Sequence, residues 1–150
     1  INSVSSAQLG FIFSIVATVT GSIWAKMEWH SFWNWDPRET SILILLLIYA
    51  AYFSLRSAIE NEEQRARLSA VYSIIAFVTV PFLVFVVPRV IDTLHPQNPV
   101  FETEADKKMT PSIRLVFFTS IVAFSMIYAW ILNLKISLEK ISRQIFDWGE

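Results

Sequence analysis

The chain has 150 residues, 54% of them hydrophobic and 17% charged, with a mean hydropathy of +0.48. That is the composition of a membrane protein, and the length allows one compact helix bundle. A net charge of -1 gives no footprint for nucleic acid, and zero cysteines exclude disulfides, thiolate metal sites and a cysteine nucleophile.

Residues 1–25 carry no charge and end at Lys26. The run has no basic n-region, so it reads as a span and not as a signal peptide. The chain starts at Ile1 and enters this run almost at once, so we read it as a piece of a longer protein. Next comes WAKMEWHSFWNWDPRET, residues 24–40, which holds Trp24, Trp29, Trp33 and Trp35, with Phe32 and His30 among them. An interfacial belt places one or two aromatic residues at a helix end. Four tryptophans in twelve residues exceed that, and a shelf of flat faces for a large flat ligand explains them better. Asp36-Pro37-Arg38-Glu39 has the pattern of a helix start, with Asp36 as N-cap, Pro37 at the first helical position and Glu39 as the capping-box acid. A cap does not need Arg38. Its fork suits a carboxylate, or it snorkels to lipid phosphate.

Residues 40–55 are again free of charge, and the helix that starts at Pro37 reaches Arg56, which snorkels at the far end. The segment 59–67, IENEEQRAR, reads as a soluble turn. Residues 68–88 form a third charge-free run, with Pro81 in its interior to kink it and a helix end expected near His95, which precedes Pro96. Residues 95–111 read as a surface loop able to cover a site or meet a partner. Residues 115–134 form the fourth run, and an amphipathic tail helix follows over about 134–148, continuing that span or lying on the membrane. A span needs about 20 mostly apolar residues, and in lipid it must be helical. The fold expected is therefore all-α, a polytopic transmembrane helix bundle forming one membrane domain over 1–150. Its four spans lie near 6–25, 37–58, 68–94 and 112–133.

Four spans put the aromatic loop and His95 at the same membrane face. The positive-inside rule does not orient them. Lys26, Arg38, Arg89, Lys107, Lys108 and Arg114 lie on one side, against Arg56, Arg65, Arg67, Lys135, Lys140 and Arg143 on the other. A lone histidine is usually a surface residue. One that faces an aromatic platform beside an arginine is a candidate axial ligand of haem, which is flat and apolar with two propionates.

Gly21-Ser22-Ile23-Trp24, with Trp29-His30-Ser31-Phe32-Trp33-Asn34-Trp35-Asp36-Pro37-Arg38-Glu39-Thr40-Ser41, resembles a known signature. It is the tryptophan-rich "WWD" stretch of the cytochrome c assembly family, membrane proteins that handle haem in cytochrome c biogenesis. Within that family the chain is most similar to the CcmC branch, and Thr93-Leu94-His95 resembles the segment that holds the branch's second periplasmic histidine. The resemblance implies six spans in the full-length protein, with residues 1–150 matching the last four and the first axial histidine lying upstream. It implies a multi-pass protein of the inner, cytoplasmic membrane, with the aromatic loop and His95 facing the periplasm. Haem b would be the cargo, passed to the haem chaperone CcmE in concert with the transporter subunits CcmA, CcmB and CcmD. His95 would be the axial iron ligand, Trp24, Trp29, Phe32, Trp33 and Trp35 the shelf, Arg38 the propionate partner, and Asp36 would order the loop by capping.

Two positions depart from the signature. His30 stands where a small residue is usual, as a chance substitution or an extra polar contact, and Phe32 stands where a tryptophan is usual. The Asp-Pro-Arg-Glu-Thr wording leans toward the sister CcsA/ResC synthase family, and the spacing into His95 leans back toward CcmC. A synthase subunit that attaches haem to apocytochrome, and a haem-free scaffold or transporter subunit, are the rival readings. No residue has the setting of a general base or nucleophile, so no enzymatic activity is expected.

Overall fold

The computed structural model describes residues 2–95 and 110–148, so most of the 95–111 loop lies outside the described residues. Helix α1 is Asn2–Trp29, α2 Pro37–Ala58, α3 Glu62–Pro81, α4 Val87–Val90 and α5 Pro111–Trp148, with a π-helical turn at Phe82–Val86 between α3 and α4. Among the described residues, four helical stretches are long and apolar enough to cross a membrane: Ser3–Trp29, Pro37–Ala58, Glu62–Val90 and Pro111–Ser142. The chain is thus an all-α polytopic membrane protein. Its outward faces agree. Phe77 is 78% exposed and Leu115 67%, which water would not tolerate along whole helices but lipid does.

Helix boundaries differ from the sequence expectation at α1, which runs over Asn2–Trp29 where 6–25 was expected and so makes Trp24 and Trp29 helical, and at both ends of the third span. The charged residues 62–67 form the first turns of α3 instead of belonging to a turn. Asn61 caps that helix by accepting from the Gln64 N–H at 2.9 Å, and Glu62 and Glu63 sit where the helix dipole favours acids. At its other end the third span stops at Val90, short of His95, and Ile91 is extended. Pro81 has no N–H for the preceding turn, and the next five residues wind as a π turn, which the sequence did not announce.

The chain divides into two units, Ile1–Gly10 with Asn98–Glu150, and Phe11–Gln97. In the first, fully buried Ser5 donates to Glu139 Oε2 at 3.0 Å, and Ser6 Oγ lies 2.5 Å from Tyr128 Oη, so hydroxyls tie the two segments where apolar contact gives little in lipid. Helix α5 runs without a break through Trp148. In the second unit, Phe11 meets Tyr49 at 5.9 Å and Phe53 at 5.7 Å, which joins α1 to α2. Tyr72 Oη donates to the Ile48 carbonyl at 2.8 Å, joining α3 to α2. Arg56 donates to Ser69 Oγ at 3.0 Å and lies over the Tyr52 ring, so its charge is held between two helices.

Candidate functional site

The second unit gathers its polar chemistry at one end, where the α1–α2 loop meets residues 91–95. Helix α1 stops at Trp29 because His30 turns left-handed, with φ 63°, a region His enters more readily than most residues. Lys26 Nζ donates to the His30 carbonyl at 2.8 Å and closes the helix end. Ser31 Oγ then donates to the Trp33 carbonyl at 2.9 Å. Trp35 is also left-handed, with φ 56°, a strained conformation for a bulky residue. That kink delivers Asp36 to the start of α2.

Asp36 forms both halves of a capping box. Its side chain accepts the Arg38 N–H at 2.9 Å, while Glu39 Oε2 reaches back to the Asp36 N–H at 3.3 Å and takes the Asn34 N–H at 2.6 Å. The same carboxylate has a second set of partners that no cap requires. Oδ2 accepts from Thr93 Oγ1 at 2.7 Å and from the Leu94 N–H at 2.6 Å, and Oδ1 lies 3.0 Å from His95 Nδ1. This explains the early end of the third span: the Leu94 N–H serves Asp36 and not a helical carbonyl. Burial alone would raise the Asp36 carboxyl. The hydrogen bonds from Thr93, Arg38 and Leu94 and the nearby His95 outweigh it, and the carboxyl is held below its ordinary value of 3.8. It is therefore an anion at neutral pH and can only accept, so Nδ1 carries the hydrogen in the His95–Asp36 contact. The Asp36 side chain is 1% exposed and that of His95 21%, so little water competes for the pair.

His95 rests against two indoles, edge-on to Trp29 at 4.7 Å and tilted over Trp24 at 5.9 Å. Together with Trp33, Arg38, Glu39 and the small residues of α1 they line an open cavity of about 170 Å³. Ala17, Gly21 and Ala25 recur every four residues there, and a methyl group added at Gly21 would meet nothing within 4 Å. The structure thus brings Trp24, Trp29, Trp33, Arg38, Asp36 and His95 together. It leaves two expected members of the shelf outside the cavity. Phe32 is 58% exposed beneath Lys26 Nζ, and Trp35 is 71% exposed, edge-on to Trp33 at 5.9 Å. The rings also do not form one flat surface: Trp24 and Trp29 stand at 80° to each other. His30 is exposed and shapes the backbone.

Sequence reasoning missed the role of Thr93 and of the Leu94 N–H, which is invisible until the chain reverses. It also missed the small face of α1, although the four-residue spacing of Ala17, Gly21 and Ala25 was a readable signal. Among the described residues no cluster of three His, Asp or Glu could hold a bare metal ion. The donor set does suit a flat iron macrocycle, with one imidazole beside indole rings and a cation in the same cavity.

The sequence profile of the heme exporter protein C family, CcmC, matches residues 1–147. Proteins named heme exporter protein C are similar over most of the chain. That of Bradyrhizobium diazoefficiens is 29% identical over 83% of this chain and 46% of its own length. That of Escherichia coli K12 is 31% identical over 75% and 45%, and that of Haemophilus influenzae 28% over 91% and 54%. The chain spans about half the length of these curated relatives.

Proposed function

The chain belongs to the heme exporter protein C family, and on that premise we propose that it holds haem b at the periplasmic face of the inner membrane for transfer to the chaperone CcmE. His95 is the axial ligand of the iron. Trp24, Trp29 and Trp33 take the edge of the macrocycle, and Arg38 takes a propionate through its fork. Trp35 and Phe32 cover what projects from the cavity or meet the partner. CcmA, CcmB and CcmD work with the complete protein as its transporter partners, and haem moves through without chemical change.

The observation that carries this reading is the imidazole of His95, fixed by Asp36 and set on two indoles in a cavity that also contains Arg38. Mixing the complete haem-loaded protein with haem-free CcmE and separating the two tests this. The reading expects the haem absorbance to move to CcmE, and haem that stays with the donor in every condition contradicts it.

A further inference from the structure

Asp36 makes more contacts than a helix cap explains. Capping α2 takes one acceptor, and Asn or Ser would serve it as well as Asp. The remaining contacts all point at one three-residue segment: Thr93 Oγ1 at 2.7 Å, the Leu94 N–H at 2.6 Å and His95 Nδ1 at 3.0 Å. Two of them fix the backbone that carries His95 and the third fixes its ring. A neutral imidazole has one donor and one acceptor nitrogen, and the hydrogen bond made by one decides what the other can do. With the hydrogen on Nδ1, the lone pair is on Nε2, across the ring.

We propose that Asp36 is a positioning residue for the axial imidazole: it holds His95 in the Nδ1–H form and presents Nε2 to the iron, while the same carboxylate caps α2. The proposal rests on the reading that His95 ligates haem. It makes the aromatic loop and the ligand one mechanical piece, since the loop cannot leave the start of α2 without loosening His95. It also assigns the carboxylate an electronic effect. A carboxylate that accepts from a ligating imidazole makes it a stronger donor to the metal, which favours the ferric state.

The test uses the complete protein with its haem. Asp36→Asn keeps a capping oxygen but loses the charge and turns a donor toward Thr93 and Leu94. The expected result is an upward shift in reduction potential of the haem that remains bound. A merely structural role would lower occupancy and leave that potential unmoved. Should Asp36→Asn fail to accumulate, His95→Gly keeps Asp36 and opens a place for added imidazole. Imidazole can donate to Asp36 while binding iron, whereas 1-methylimidazole cannot. Imidazole should therefore bind roughly tenfold to a hundredfold more tightly, the worth of a hydrogen bond to a charged group. If His95 is required for haem but the potential does not move, or the two compounds bind equally, this inference is overturned and the ligand assignment stands. If His95→Ala retains haem with unchanged spectrum, the ligand assignment falls and this inference with it.

Discussion

Asp36 is the residue at which local and long-range structure meet. One carboxylate accepts the Arg38 N–H within its own turn, and Thr93, the Leu94 N–H and His95 from a segment nearly sixty residues on. Its removal by Asp36→Ala should cost about 2–4 kcal/mol, the sum of a lost cap and an orphaned buried donor. The dependence on pH has a definite sign. The folded state holds the carboxyl below its ordinary value of 3.8, so the unfolded state binds its proton first as pH falls. The stability that Asp36 contributes is therefore fully present above 3.8 and lost as pH drops through the lower folded value. Thermal unfolding of the native protein and of Asp36→Asn, compared from about pH 6 to about pH 3, should show the gap between them closing toward the acid end. A gap that widens with acid would contradict this. His30 shows the opposite case, a residue whose chemistry drew notice and whose backbone matters. At φ 63° it occupies a conformation that favours glycine.

The aromatic stretch, the last turns of α1 with the loop that follows, has two faces. Trp24, Trp29 and Trp33 turn to the cavity, while Phe32 and Trp35 turn outward. The two faces should separate on mutation. Trp29 makes edge contacts with both His95 and Trp24, and such pairs contribute about 0.5–1.5 kcal/mol each. A ring against a flat ligand contributes about 1–3 kcal/mol, so Trp29→Ala should weaken haem retention by roughly tenfold to a hundredfold, and Trp35→Ala by clearly less. Equal losses, measured by haem titration, would restore the single flat shelf that the sequence suggested. The cap at Asp36, the spans and the ring cluster were legible because each depends on neighbours in the chain: a capping box, a charge-free run, a density of tryptophan. The direction in which each ring points was not, because it follows from the left-handed turns at His30 and Trp35, and a bulky Trp carries no signal for such a turn. The end of the third span was misplaced for a similar reason. Nothing near Val90 in sequence says that the Leu94 N–H will serve an aspartate from another helix.

For the molecule as a whole, four apolar helical stretches separated by polar connections make a topology that can be probed directly, since the chain has no cysteine of its own. Ser31 lies between the first two spans, Asn61 between the second and third, and Ser142 at the end of the fourth. An impermeant thiol reagent on intact cells should label Ser31→Cys and spare Asn61→Cys and Ser142→Cys. Labelling Ser31→Cys and Asn61→Cys alike would remove the second span. In the proposed function this architecture presents the His95 imidazole to haem iron at the membrane face. The most direct measurement of that is the absorbance and electron paramagnetic resonance of the complete purified protein with His95→Ala and, in parallel, with His30→Ala. His95→Ala should lose most of its haem or leave the remainder high-spin, and His30→Ala should keep the low-spin spectrum of the native protein. A His95→Ala protein with native haem content and a native low-spin signal would contradict that function.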